Sequence, residues 1–442
     1  MTGLQTVRFD EAWARASSFV STQSKLNAAH TVLIRDLYGR IRIALDDRNP
    51  VGEIPDDEAR RELAVRLSKE LGAFSTETPS PFLLASEMFA PDEVFDTADT
   101  MWADPARRTY RILDRYIVGS DWLRSPFESS HPPRVTLYGI KGGAGRSTAA
   151  AVLAWRLSLA GRRVLVVDLD LESPGVGATI LPPERAPDFG VVDWFVEEAV
   201  GQADDALLRD MLASSPLGAG GADLIVAPAS GKLHEGYSYL PKLARAYAEI
   251  SGDQGVPVTF GERLNHLVLR LEEIVQPDVT LLDSRAGLHD IAAVAVTRMD
   301  ATSLLFAVDT GQTWEAYRSL FQTWHTHFDR AERFREGLKI VAAQIPETET
   351  TAYLESFQQN AYDLFASHLY VETPPGEEPE FNFDLNDPEA PHSPLRINWS
   401  RAFQQFDPVR HPNTVTDEQV RAAFGDFVRG VSLLVFGEPL EW

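Results

Sequence analysis

The residues with the most to offer chemically stand together in the stretch GIKGGAGRST, residues 139–148. Gly139, Gly145, Arg146 and Ser147 keep the spacing G-x-x-x-x-G-[K/R]-[S/T]. Glycines in such a loop let successive backbone N–H groups turn inward around a polyphosphate, and a helix starting there adds its positive N-terminal end. The binding run predicted is Gly142, Gly143, Ala144, Gly145, Arg146, Ser147 and Thr148. Ser147 would ligate Mg²⁺ through its hydroxyl, and Thr148 could reach a phosphate oxygen. A glycine-rich turn with no ligand is the plain alternative; the strand before, the helix after and the four matching positions speak for phosphate. Arg146 is the irregular point, because lysine normally stands there. A lysine occurs instead five residues earlier, at Lys141. A guanidinium is always charged and offers a planar fork, so it can still pair with phosphate, but its bulk alters the position against the terminal oxygens. Binding through backbone N–H groups is untouched by the change. Hydrolysis depends more on charge placed at the transition state, so slow or conditional turnover is expected.

The elements that must hold this loop alternate between strand and helix. VTLYGI precedes it as an apolar strand, and STAAAVLAWRLSLAG follows as a helix ending at Gly161. RVLVVDLD, ADLIVAPA, DVTLLDS, ATSLLFAVD and LKIVAAQI are further short apolar runs rich in β-branched residues. Separated by helical segments, they predict an α/β fold with a doubly wound, mostly parallel sheet over residues 131–442. The acidic, Pro-rich segment 371–394 has no periodicity and reads as a long loop. The last helix is expected from an N-cap at Thr416 to about Phe436, with Val420, Phe424, Phe427, Val431 and Leu434 on one core-facing stripe. Aromatic residues in SGKLHEGYSYLPKLARAYAEI (230–250) read first as core.

Residues 1–130 lack a catalytic constellation and read as a small α+β or helical interaction module. TVLIRDLYGRIRIALDD predicts a hairpin around Gly39, and DDEARRELAVRLSKELG a helix ended by Gly72. RTYRILDRYIVGSDWLRSP (108–126) predicts a second helix, closed by Gly119. SPFESSHPP (125–133) reads as a linker.

Bulk properties narrow the function. The 442-residue chain carries a formal charge of −24, a field that repels nucleic acid and anionic lipid, and no run of basic residues offsets it. Cysteine is absent, which excludes disulfides, thiolate zinc sites and cysteine nucleophiles. No apolar run approaches the roughly 20 residues of a membrane span. The N-terminus lacks the pattern of a secretory signal, so a soluble, cytoplasmic protein is expected. His325 and His327, two apart on an expected helix, face different ways and do not suggest a metal pair.

KGGAGRST, then VLVVDLDLESPG, then DVTLLDSRAGLHD resemble the deviant Walker A ATPases of the ParA/MinD type, in order and spacing, over roughly residues 134–442. The resemblance implies ATP and Mg²⁺ as ligands and an ATP-dependent homodimer. It makes Lys141 the signature lysine that reaches the partner's nucleotide across a dimer interface. Asp168 would support the metal shell and Asp170 would position or activate the attacking water. Both end a strand, where doubly wound sheets bind ligands. Asp283 matches the Walker B aspartate, Gly287 the switch glycine, and Gln344 stands where relatives often place asparagine for the base. Arg285 departs from the proline of MinD-like relatives; contact with phosphate or a partner and a surface ion pair are both open. The resemblance implies a nucleotide-controlled dimerisation switch acting on a dedicated protein partner. A nonhydrolysing ATP-bound scaffold and a small-molecule ligase or amidotransferase are the alternatives, and Lys141 argues against the last.

Overall fold

Strand alternation decides the architecture around the loop. In the strand Arg134–Gly139, Val135 and Leu137 point to one face, against the helix Arg146–Leu159, while Tyr138 points to the other, against Tyr317 and Trp122. Every residue of that strand is buried, as expected for a parallel strand covered on both sides. The structure, a computed structural model, describes residues 6–48, 50–76, 80–97, 99–104, 106–234, 236–252, 256–371, 381–412 and 414–442. The chain divides into two compact units, Met1–Ser120 and Asp121–Trp442.

In the first unit a five-stranded sheet has the order β3-β2-β1-β5-β4, with β1 Thr31–Arg35, β2 Ile41–Leu45, β3 Phe82–Leu84, β4 Met101–Trp102 and β5 Arg111–Asp114. The β1–β2 hairpin turns at Gly39, whose φ of 80° suits glycine, and the Asp36 carboxylate accepts from the N–H groups of Tyr38 and Arg40. The predicted helix is present as Asp57–Leu71, capped by Asp56 and ended by Gly72 at φ 56°. The second predicted helix is not. Residues 111–114 form β5, parallel to β1, and Ser120–Leu123 is one short 3₁₀ turn. Tyr110 and Leu113, three apart, would share a helix face, but here they are buried in different clusters, as strand alternation requires; pairing with a distant strand chose the strand.

In the second unit a pair of short strands, β10 Ile250–Ser251 and β11 Pro257–Val258, stands apart from the main sheet. That sheet runs β15-β14-β13-β6-β12-β7-β9-β8. Its strands are β6 Arg134–Gly139, β7 Val164–Asp168, β8 Ala213–Ser214, β9 Leu224–Ala227, β12 Val279–Asp283, β13 Thr302–Ala307, β14 Leu338–Ile345 and β15 Leu395–Asn398. All neighbours are parallel except β8 and β9. The chain runs out from β6 through β7 and β9, returns to β12, and then crosses to β13 on the other side of β6. The C-terminal end of β6 is therefore a topological switch point, where such sheets form a ligand crevice.

The helices Arg146–Leu159 and Asp417–Phe436 cover one face of this sheet. The last helix starts at Thr416 with a capping box to Gln419 and stops at Gly437, φ 72°. Val420, Phe424, Phe427 and Val431 are buried, but Leu434 at the outer end of the predicted stripe is 44% exposed. The segment 125–133 is less free than a linker: Phe127 donates its N–H to the Arg298 carbonyl and lies 3.9 Å under that guanidinium. Within the expected loop 371–394, residues 372–380 lie outside the described residues; 381–394 are irregular, with Phe381, Ala390 and His392 buried. Among the described residues no helix is long and apolar enough to cross a membrane.

Candidate functional site

β6 ends at Gly139, and the chain leaves the sheet toward the helix Arg146–Leu159. Gly143 and Gly145 have φ of 82° and 79°, the left-handed conformation that glycine adopts without strain. A Cβ built on Gly142, Gly143 or Gly145 would meet nothing within 4 Å, so the loop surface is open rather than filled by a side chain. Gly145 caps the helix with no side-chain hydrogen bond, which leaves first-turn N–H groups for an anion. Lys141 is exposed at the front of the loop. Beside it lies a cleft of about 350 Å³ lined by Lys141, Ala144, Phe306, Thr310 and Gln344. Gln344 stands at φ 57° in β14, at the register irregularity against β15, and its amide donates to the Gly143 carbonyl. The residue expected at the base thus tethers the loop through one amide N–H.

Two of the carboxylates are neighbours by register. Asp168 of β7 pairs with Asp283 of β12, and both are fully buried. One Asp168 oxygen accepts from the N–H groups of Gly175 and Gly177, each at 3.2 Å; the other accepts from Asp170 N–H at 3.2 Å. Burial and the charge of Asp283 still push Asp168 up to about 8. Burial raises Asp283 to about 6, against the opposing pull of Arg146 and the nearby Ser147 hydroxyl. Neither Asp283 oxygen has a hydrogen bond of ordinary geometry. Buried orphan oxygens facing a serine hydroxyl fit a cation. Among the described residues no cluster of three or more His, Asp or Glu forms a complete metal cage. Mg²⁺ here would have to complete its shell with water and phosphate oxygens, its usual habit.

Arg146 answers the question its position raised in an unexpected way. Its side chain is only 11% exposed and turns toward the strand ends. One guanidinium nitrogen lies 3.1 Å from Asp170 Oδ2, and Nε lies 3.8 Å from Asp283 Oδ1. Nη1 is buried without a partner. Burial raises the Asp170 carboxyl despite the Arg146 charge beside it.

Gly287 closes the back of the site. Its φ is 86°, its N–H donates to the Gly139 carbonyl at 3.1 Å, and its carbonyl accepts the Tyr138 hydroxyl at 3.2 Å. Arg285 forms an ion pair, 2.5 Å from Glu172 Oε1. Glu172, Tyr239 and Tyr247 were not singled out by sequence reasoning. The tyrosines, read as core, are half-buried and spend their hydroxyls on the loop that carries Asp170. The signal was present for Glu172 alone, two residues beyond Asp170. The structure thus gathers Asp168, Asp170, Asp283, Gly287 and Gln344 around the loop that runs from the end of β6 through Gly142–Thr148.

A comparison of the sequence with curated proteins returns no match. Similar solved structures include cobyrinic acid a,c-diamide synthase of Mycobacterium smegmatis with a bound ATP analogue and magnesium, at 16% identity and TM-score 0.41, covering 70% of this chain and 100% of that one. A ParA family ATPase of Chlorobium tepidum is similar at 15% identity and TM-score 0.42, covering 67% and 98%. The MinC:MinD cell division protein complex of Aquifex aeolicus is similar at 15% identity and TM-score 0.43, covering 70% and 98%. The sequence matches the family described as CobQ/CobB/MinD/ParA nucleotide binding domain over residues 135–359, more than half of the chain, with the glycine loop at its start and β14 inside its end. The chain belongs to that family.

Proposed function

We propose that the protein is a cytoplasmic, Mg²⁺-dependent ATPase that works as a nucleotide-controlled dimerisation switch and regulates a protein partner. The observation that carries this reading is the open glycine cradle with the buried Asp283 carboxylate, free of ordinary hydrogen bonds, beside Ser147. Gly142–Thr148 take the phosphates through backbone N–H groups. Ser147, Asp168 and Asp283 are the residues that would hold Mg²⁺, directly or through water, and the ion would supply neutralisation of charge on the phosphate oxygens. Asp170 orients the attacking water, and Gly287, already bonded to Gly139, registers the terminal phosphate. Lys141, exposed at the front of the loop, reaches the nucleotide of a second copy. Gln344 holds the loop beside the base, and residues 1–130 read the partner.

The ion pair between Arg146 and Asp170 favours a second reading, a slow or nonhydrolysing ATP-bound scaffold, because the carboxylate assigned to water is held by a guanidinium. Calorimetry and single-turnover hydrolysis test both. An affinity in the micromolar range, about −8 kcal/mol, is expected for Mg²⁺·ATP. Well-folded protein that binds neither ATP nor ADP refutes the proposal. Binding without phosphate release, alone or with a partner, selects the scaffold.

A further inference from the structure

The chain between β9 and the helix Phe260–Val275 contains a feature that none of the phosphate-site motifs requires. Its base is fixed to the body of the sheet domain. The buried Asp193 carboxylate accepts from Lys242 Nζ at 2.6 Å, the Tyr237 hydroxyl at 2.8 Å and Gly190 N–H at 2.7 Å. A Cβ on Gly231 would lie 2.2 Å from the Asp188 carbonyl oxygen, so the two backbones touch there. From this base, residues 237–247 reach the loop that follows β7. The Tyr239 hydroxyl donates to the Leu171 carbonyl, and the Tyr247 hydroxyl donates to Glu172 Oε1 at 2.6 Å. Arg285 holds the same Glu172 oxygen at 2.5 Å, and His289 lies 3.5 Å from it.

Two consecutive residues after Asp170 are therefore gripped from outside their own loop. Asp170 itself has three partners. Its N–H donates to Asp168, its Oδ1 accepts Ser173 N–H at 3.2 Å, and its Oδ2 takes Arg146. The first two belong to the same turn and move with it. The third is lost whenever Arg146 swings to a phosphate. The ends of the turn stay anchored by the buried side chains of Leu169 and Leu171 and by the Gly175 and Gly177 N–H groups on Asp168; what then steadies its tip, beside Asp170, is the grip on the Leu171 carbonyl and Glu172.

We propose that Tyr239 and Tyr247 are positioning residues for Asp170, and that segment 237–247 is a clasp that keeps this carboxylate at the mouth of the phosphate loop after Arg146 lets go. The inference rests on the role given to Asp170 above. A clasp of this kind acts on turnover and leaves phosphate binding alone, since neither tyrosine bonds to the glycine loop.

The test is the double variant Tyr239→Phe/Tyr247→Phe, which removes two hydroxyls and keeps the Tyr247 ring on Phe260 and His289, 4.9 and 5.1 Å away. Hydrogen exchange over residues 169–176 in nucleotide-free protein should speed up, with β6 and β7 unchanged. ATP affinity should stay within about twofold while single-turnover hydrolysis at saturating ATP falls about ten- to hundredfold, the cost of a lost hydrogen bond to a charged group. Unchanged exchange over 169–176 overturns the clasp. So does a loss of ATP affinity equal to the loss of turnover, which marks general structural damage. Wild-type protein that fails to hydrolyse ATP overturns the hydrolytic reading instead, and the exchange measurement then decides the clasp by itself.

Discussion

Replacing Asp170 with asparagine should tighten ATP binding, and the reason lies in what Arg146 must give up. In the structure its guanidinium is 3.1 Å from Asp170 and 3.8 Å from Asp283. A phosphate that recruits Arg146 gains a charge-assisted hydrogen bond worth about 1.5–3 kcal/mol. Leaving Asp170 costs a bond of the same kind, so most of the gain cancels. Arg146→Ala should therefore weaken ATP binding by only about tenfold, close to 1.4 kcal/mol. Asp170→Asn removes the competitor's charge and should strengthen binding by a similar factor. In the Arg146→Ala background the same asparagine has no guanidinium to release, and its effect should shrink sharply. Calorimetric titration of Mg²⁺ with a nonhydrolysable ATP analogue, across wild type, both single variants and the double variant, gives the coupling directly. It should reach about 1 kcal/mol. Arg146→Lys belongs to the same experiment: a compact ammonium cannot span both carboxylates, and turnover should fall. If Asp170→Asn leaves affinity within twofold, or tightens it equally with and without Arg146, the competition between carboxylate and phosphate does not exist.

Lys141→Ala should leave binding of a single nucleotide nearly intact but weaken ATP-dependent dimerisation or turnover; light scattering that gives the same mass with and without an ATP analogue counts against the switch. Asp168 and Asp283 titrate higher in the folded protein than their ordinary 3.8, so between about pH 4 and pH 8 the folded state keeps protons that the unfolded chain has released. Stability from this pair is full below pH 4 and is lost as pH rises through that window. Asp168→Asn should reduce the stability difference between pH 5 and pH 8 in urea titrations, and an unchanged difference would falsify the assignment. Arg134 is buried and bidentate to Glu272, at 2.9 and 2.7 Å. Arg134→Ala should cost about 3–5 kcal/mol by leaving Glu272 buried without its counter-ion, with the Thr280 hydroxyl at 2.8 Å still on one oxygen. Equilibrium unfolding checks this, and a loss below about 1 kcal/mol refutes it.

What could be read from the sequence was what local chemistry determines. Thr416 announces the last helix because its hydroxyl and Gln419 satisfy each other's N–H groups within one turn. The β-branched runs announce the central strands because burial on both faces demands them. The glycine loop was legible because positive φ at Gly143 and Gly145 is a demand on residue type. What failed was decided at a distance. Arg111–Asp114 became a strand because β1, far away in sequence, offered it a parallel edge. Arg146 carried no mark of its partners, since Asp170 and Asp283 come to it from two other strand ends only once the sheet is assembled. The same holds for Tyr239 and Tyr247. The functional consequence runs through that last group. A loop motif fixes which atoms can meet a phosphate, but the resting position of Arg146 fixes what a phosphate must displace. Arg146, the loop motif's departure, is committed to Asp170, and on the function proposed above its release from Asp170 would join nucleotide binding to the freeing of the carboxylate assigned to water. An arginine there ties the two events together more tightly than a lysine would, because its fork can hold both strand ends at once.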